Sequence, residues 1–251
     1  MHIIIPVRDE AQNIGPLLEQ ISTSGVVERV DFIDDSANTR TTDVVNQEAS
    51  KYAFTVTSYL RQQQAWGGLA GAVIDGLERA AHAGASFVVI MDGDLQHDPA
   101  YLPAIYQRLM EGAHIVATTR YAAGGSREGL DGPVRYFVSW ASTVAAKILF
   151  PRSLAGVSDP MTGYFGLRLH SIDLDALRQA KGFKVLLEIM VSHDLPLTEV
   201  PVVFRAREAG TSKGTFGRGV EYLDQLLRLR LLRSLLWFRP RQEMKDAPAT
   251  R

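Results

Sequence analysis

Residues 87–91 run Phe-Val-Val-Ile-Met and then break off into Asp92-Gly93-Asp94-Leu95-Gln96-His97-Asp98. Five apolar residues with two valines and an isoleucine suit a strand buried on both faces, and Asp98 followed by Pro99 suits the cap and first position of a helix. The acids therefore fall at the carboxyl end of a strand. Open α/β sheets bind their ligands in the crevice beyond such strand ends. Asp92 and Asp94, separated by the small Gly93, can aim hard oxygen ligands at one Mg²⁺ or Mn²⁺, which could in turn hold a pyrophosphate. The same triplet is also ordinary turn and cap chemistry. The rest of the chain has to separate the two readings.

Up to about residue 120 the pattern predicts a doubly wound sheet. Residues 3–7, 30–33, 54–60, 87–91 and 114–119 read as strands, alternating with helices over 14–21, 41–53, 71–83 and 99–110. Asp34-Asp35-Ser36 follows the second strand and is expected to share a crevice with the Asp92 cluster. From Tyr121 the rhythm changes. A small-residue loop (122–126) precedes a helix over about 133–149, and the turn-rich segment 158–163 carries Asp159. An apolar helix over 185–191 contains Glu188, a strand is expected over 200–204, and the basic, glycine-containing segment 205–214 precedes a last helix over 220–238. Residues 242–251 read as a disordered tail.

Composition narrows the function. With 251 residues and 46% hydrophobic content the chain can bury a full core, and a net charge of -1 gives no basis for general nucleic-acid binding. The absence of cysteine excludes disulfides, thiolate metal sites and cysteine nucleophiles. No Gly-x-Gly-x-x-Gly follows the first strand and no Gly-Lys-Ser/Thr loop occurs, which argues against a dinucleotide enzyme and a P-loop NTPase. Met1-His2-Ile3-Ile4-Ile5-Pro6 enters a strand directly, so no leader is expected. The most apolar helical stretch, 136–146, is flanked by Arg135 and Lys147 and falls short of the roughly 20 residues that cross a bilayer.

Eight landmarks occur in order over about residues 3–232: Ile5-Pro6-x-x-x-Glu10, Asp34-Asp35-Ser36, Gly68-Leu69-x-x-Ala72, Met91 to His97, Arg120-Tyr121-x-x-Gly124-Gly125, Asp159-Pro160-x-Thr162-Gly163-x-Phe165, Gly182-Phe183-Lys184-x-Leu186-Leu187-Glu188 and Arg207-x-x-Gly210-x-Ser212-Lys213. Together they resemble the inverting family 2 glycosyltransferases of GT-A fold, and among them the dolichol- or polyprenol-phosphate mannosyltransferases. The resemblance implies a Rossmann-like, doubly wound, mostly parallel α/β sheet over residues 1–219, followed by a C-terminal amphiphilic helix at 220–241. It implies a donor-nucleotide site of Pro6, Val7, Glu10, Asp35, Asp92, Gly93, Asp94, Gln96, Arg207 and Lys213, with Asp92, Asp94 and Gln96 holding Mg²⁺ or Mn²⁺. Arg120, Arg135 and Ser139 resemble an acceptor-phosphate cradle. The catalytic set it suggests is Asp94, Arg120, Arg135, Asp159, Arg207 and Lys213.

The implied reaction moves a hexose, mannose from GDP-mannose first among the choices, to a polyprenyl phosphate at the cytoplasmic membrane face. A monoalkyl phosphate, with a second pKa near ~6, is already mostly dianionic at neutral pH and needs no general base. Asp159 then reads as an orienting residue, and as a base only if the acceptor is a hydroxyl. UDP-glucose as donor, a hydroxyl acceptor, and a non-catalytic nucleotide-sugar-binding partner of a membrane protein are the alternatives. Asp34 could simply cap a helix, His97 reads as a loop residue and not a metal ligand, and Glu188 could be a buried structural acid. In the C-terminal helix, five arginines and no acid lie between Leu226 and Arg241, beside Trp237 and Phe238. Its leucines fall on several faces, so packing on the core and lying on anionic lipid both remain open.

Overall fold

The strands form where β-branched and aromatic residues run together. In the computed structural model they are β1 (His2–Val7), β2 (Arg29–Asp34), β3 (Thr55–Leu60), β4 (Phe87–Ile90), β5 (Ile115–Thr119), β6 (Phe165–Arg168) and β7 (Leu197–Pro201). The structure describes residues 1–61, 67–121, 133–178, 180, 182–203 and 216–236, with backbone alone at 133–139, 216–218, 220 and 234–236. The helices are α1 (Ala11–Ser22), α2 (Arg40–Glu48), α3 (Gly68–His82), α4 (Leu102–Met110), α5 (Pro133–Leu149), the short α6 (Leu174–Leu177), α7 (Val185–His193) and α8 (Phe216–Leu236). Asp98 caps a 3₁₀ turn before α4, its side chain accepting the Ala100 N–H at 3.0 Å, with Pro99 at the first position.

The described strands make one sheet in the order β3-β2-β1-β4-β6-β5-β7. All neighbours are parallel except β6, which runs antiparallel to both β4 and β5. This is the expected doubly wound, mostly parallel sheet. Two of its strands differ from the sequence reading. β6 was not expected, because a four-residue strand with Gly166 at its centre lacks the apolar run of its neighbours. That glycine is a packing requirement: a Cβ there would come within 2.6 Å of Ile105 on α4. β7 begins at Leu197, earlier than expected, paired with Ile115 at the start of β5.

Two cores cover the two faces. On one face Ile4, Ile33, Val88 and Leu167 meet α3, α7 and the buried side of α8; on the other Ile3, Ile5, Phe32 and Val89 meet α1 and α4. The parallel order reverses between β1 and β4, where the chain leaves β3 at one edge and returns beside β1. Helices on opposite faces diverge at such a reversal and open a crevice at the carboxyl ends of the strands. β1 ends there at Val7 and β4 runs there into Asp92. Among the described residues no helix is long and apolar enough to cross a membrane.

Candidate active site

Backbone bonds tie three strand ends together at this crevice. The Asp35 N–H donates to the Val7 carbonyl at 2.9 Å, the Arg61 N–H to the Asp34 carbonyl at 2.8 Å, and the Asp9 N–H to the Ser36 hydroxyl at 2.8 Å. Asp34 is fully buried and accepts from the Ser36 N–H and hydroxyl and from Thr42 Oγ1, so it builds the turn. Asp35 instead reaches Arg61, whose Nη1 lies 3.0 and 3.1 Å from its two oxygens and 3.1 Å from the Gly68 carbonyl. Burial raises the Asp35 carboxyl above its ordinary value, and Arg61 draws it partly back. Pro6 and Val7 are buried beside this pair, and Glu10 Oε2 accepts the Asn13 amide at 2.6 Å. Of the expected nucleotide contacts, Pro6, Val7 and Asp35 thus lie together on one wall, with Glu10 just before α1.

The acid loop forms the floor. A Cβ on Gly93 would lie 2.7 Å from Val7 and 3.4 Å from Ile5, so only glycine lets β4 run out against β1 with an acid on each side of it. Leu95 adopts φ +63°, a left-handed conformation costing a non-glycine residue about 1 kcal/mol. The loop is held in that shape by the Gln96 N–H on Asp94 Oδ1 at 3.2 Å and by the Asp92 N–H on His97 Nδ1 at 2.9 Å. Two carboxylates and an amide are hard oxygen donors, which fits Mg²⁺ or Mn²⁺. Among the described residues no group of three His, Cys, Asp or Glu side chains converges on a metal position. The donor set thus suits an ion shared with substrate phosphates, the usual manner for Mg²⁺, and not an all-protein cage.

Segment 158–163 joins this floor to the opposite wall. Asp159 is buried and accepts both the Nε and an Nη of Arg120 at 2.9 Å on one oxygen. Lys184 Nζ pins the Met161 carbonyl at 3.0 Å, and Glu199 accepts the Ser158 N–H at 2.6 Å. Gly163 then passes so close to Asp92 that a Cβ would sit 3.3 Å from its Oδ2. Arg120 thus stands at the end of β5 with its fork oriented by a buried acid, one short loop away from Asp92. Arg135 and Ser139 lie four residues apart on α5, one turn of one face, where the backbone alone is described. Arg207 and Lys213 lie outside the described residues.

Two residues that line this site carry little signal in the sequence. Arg61 is the first residue after β3, one step beyond the Leu60–Asp34 pairing, and a cation at that register of a parallel sheet was the available clue. His97, expected to be a plain loop residue, is buried against Tyr164 with ring centroids 5.1 Å apart. Its Nε2 lies 3.7 Å from Asp92 Oδ2.

Residues 2–172, more than half of the sequence, match the model of glycosyl transferase family 2. The chain belongs to that family. A dolichol-phosphate mannosyltransferase of Pyrococcus furiosus is 31% identical over 230 residues, which are 90% of this chain and 62% of that protein. One of Mycosarcoma maydis is 30% identical over 240 residues, covering 90% of this chain and 78% of its own length. This family 2 chain therefore spans less than two thirds of the Pyrococcus relative. Among solved structures, glucosyl-3-phosphoglycerate synthase of Mycobacterium tuberculosis, in complex with Mn²⁺, UDP-glucose and phosphoglyceric acid, superposes with a TM-score of 0.65 at 19% identity, over 92% of this chain and 78% of that one. The common ground at that identity is the GT-A fold.

Proposed function

We propose that this chain is an inverting, metal-dependent glycosyltransferase that moves mannose from GDP-mannose to a polyprenyl phosphate at the cytoplasmic face of a membrane. The observation that carries the reading is the 158–163 loop, which joins the Arg120–Asp159 pair to Asp92 across Gly163. A cation suited to an acceptor phosphate and acids suited to a donor diphosphate thereby share one crevice. The names of the relatives supply the sugar and the lipid.

In this reading Asp92, Asp94 and Gln96 hold Mg²⁺ or Mn²⁺, which supplies neutralisation of the charge developing on the leaving diphosphate. Pro6, Val7, Glu10 and the Asp35–Arg61 pair bind the nucleoside, and Asp35 offers acceptors to ring N–H groups. Arg120 takes the acceptor phosphate, held in place by Asp159, and Arg135 and Ser139 of α5 complete the acceptor-phosphate cradle. The dianionic phosphate attacks the anomeric carbon directly, so Asp159 orients and does not abstract a proton. Arg207 and Lys213 complete the charge clamp on the diphosphate. The exposed leucines of α8 and the exposed Arg230 beside them rest on the lipid that carries the acceptor.

A donor-by-acceptor screen tests this. Labelled GDP-mannose and UDP-glucose are each offered with and without polyprenyl phosphate. Transfer from GDP-mannose that requires the lipid phosphate is the expected result. Preference for UDP-glucose would change the donor, transfer to a hydroxyl acceptor would return Asp159 to the role of base, and no turnover in any arm would favour a nucleotide-sugar-binding partner.

A further inference from the structure

We propose that His97 is a positioning residue for the Asp92–Asp94 carboxylate pair, closing the acid loop into a ring through the Asp92 backbone and packing its own imidazole under the Asp92 side chain. Four observations converge on it. His97 Nδ1 accepts the Asp92 N–H at 2.9 Å, so the first acid and the residue five positions later are fastened directly. Accepting at Nδ1 requires that nitrogen to be unprotonated, which places the proton of the neutral ring on Nε2, the atom 3.7 Å from Asp92 Oδ2. The ring is only 6% exposed and stacks on Tyr164 with 23° between planes. Tyr164 is itself buried and donates its hydroxyl to the Asp98 carbonyl at 3.2 Å, so the ring rests on a side chain tied back to the residue that follows His97.

The fourth observation is what the ring faces. A Cβ on Gly163 would meet Asp92 Oδ2, Asp92 Oδ1 and His97 Cε1 at 3.3 to 3.4 Å, so the glycine, the carboxylate and the imidazole are mutually packed. Leu95, between the two acids and the histidine, sits at φ +63°. Such a conformation persists only where the surroundings over-determine it, and the His97 bond is among the local bonds that do so, with the Gln96 N–H on Asp94 Oδ1. With Nδ1 occupied by a backbone donor and Nε2 turned to the carboxylate, His97 is not itself offered as a metal ligand. It resembles the outer-sphere partners that orient metal-binding carboxylates, whose loss typically weakens metal affinity 10- to 100-fold.

This inference rests on the reading of Asp92 and Asp94 as the acids of a metal–diphosphate site, and its test separates the two. Binding of Mn²⁺ together with GDP, and with UDP in turn, is measured by calorimetry for the intact chain and for Asp94→Asn, His97→Ala, His97→Asn and His97→Gln. Each nucleotide is also titrated in EDTA, and thermal melting and circular dichroism report folding. Asparagine can place its Oδ1 near the position of Nδ1 and accept the Asp92 N–H, whereas glutamine reaches instead toward the position of Nε2. The expected result is a 10- to 100-fold weaker Mn²⁺-dependent affinity for His97→Ala, recovery to within about threefold of the intact chain for His97→Asn, no such recovery for His97→Gln, and little change in EDTA. Unchanged Mn²⁺-dependent affinity in a folded His97→Ala variant overturns the role of His97. So does an equal loss in the Asn and Gln variants, or a loss equally large in EDTA. If instead the intact chain and Asp94→Asn bind Mn²⁺ and nucleotide alike, the metal reading itself falls.

Discussion

The Gln96 N–H caps Oδ1 of Asp94, while His97 holds the Asp92 N–H and lies beside its carboxylate. Asp94→Asn keeps that cap, since an amide oxygen accepts equally well, but removes the charge a metal needs. If the ion supplies about 4 kcal/mol of transition-state stabilisation, transfer should fall by roughly a thousandfold while the melting temperature stays put. Full activity of that variant, or of the intact chain in EDTA, would refute the assignment. Asp35 holds its proton to higher pH than an exposed acid does. Its carboxyl is raised by burial and lowered again by Arg61. Ionised Asp35 is the form that accepts from a base, so its contribution to nucleotide binding is present above its folded pKa and is lost as pH falls through it. Arg61→Met should raise that pKa further, move the acid limb of GDP binding to higher pH, and weaken binding about tenfold at neutral pH. An unshifted acid limb in a binding titration would place Asp35 outside the base pocket. The acids were legible in the sequence because they sit where an apolar run stops. Arg61 and His97 were not, because their importance comes from partners 26 and 5 residues away that only the folded chain brings together.

Buried ion pairs between helices follow a different logic from site residues. Glu188 on α7 is almost fully buried and accepts from Arg228 at 2.7 Å and from Gln225 at 2.9 Å, both on α8. Gln225 also donates to the Lys184 carbonyl at 3.1 Å, and Lys184 in turn holds Met161 beside Asp159. The last helix is thus keyed to the loop that carries Asp159. Burial raises the Glu188 carboxyl above its ordinary value in spite of Arg228. A raised folded pKa means that the protonated acid is the better folded form: this contribution to stability is fully present below the unfolded value and lost as pH rises through the folded one. Denaturation of the intact chain should show that loss above the ordinary glutamate range, and Glu188→Gln should abolish it. Glu188→Ala leaves the Arg228 charge poorly compensated and should cost about 3 kcal/mol, much of it recovered by adding Arg228→Met. A cost no larger than about 0.5 kcal/mol for Glu188→Ala would show that the pair does not fasten the helix. Helix α7 is legible as an apolar run, and Glu188 within it reads from the sequence equally as a structural acid or a site residue. No pattern in the sequence named Arg228 as its partner, because charge spacing within one helix says nothing about a second helix that meets it.

At the scale of the whole molecule, the reversal of strand order between β1 and β4 concentrates the chemistry at one end of the sheet, and α8 closes the face that carries α3 and α7. The scattered leucines of α8 resolve into two sides. Tyr222, Leu226 and Leu229 are buried with Gln225, whereas Leu223, Leu227 and Leu231, spaced by four, are 57%, 63% and 66% exposed. Neighbouring α5, joined to α8 by the Tyr222 hydroxyl on the Ser142 carbonyl at 2.7 Å, exposes Trp140 and Ile148. Removing α8 would strip the core, so a truncation cannot test what the outer face does. Leu223→Gln, Leu227→Gln and Leu231→Gln together leave the buried side intact. On the reading proposed here those leucines enter the interface of an anionic bilayer, each burying apolar surface worth about 1 kcal/mol, while the exposed Arg230 of the same helix adds about 1 kcal/mol near the headgroups. The intact chain should therefore sediment with phosphatidylserine-containing vesicles at low salt and be partly released as salt rises, because only the second contribution is screened. The triple variant should melt within a few degrees of the intact chain, bind vesicles at least tenfold more weakly, and lose transfer to long-chain polyprenyl phosphate while keeping transfer to a short, water-soluble one. Vesicle binding that survives the three substitutions would move the membrane contact off α8, with Trp140 and Ile148 of α5 as the next surface to alter.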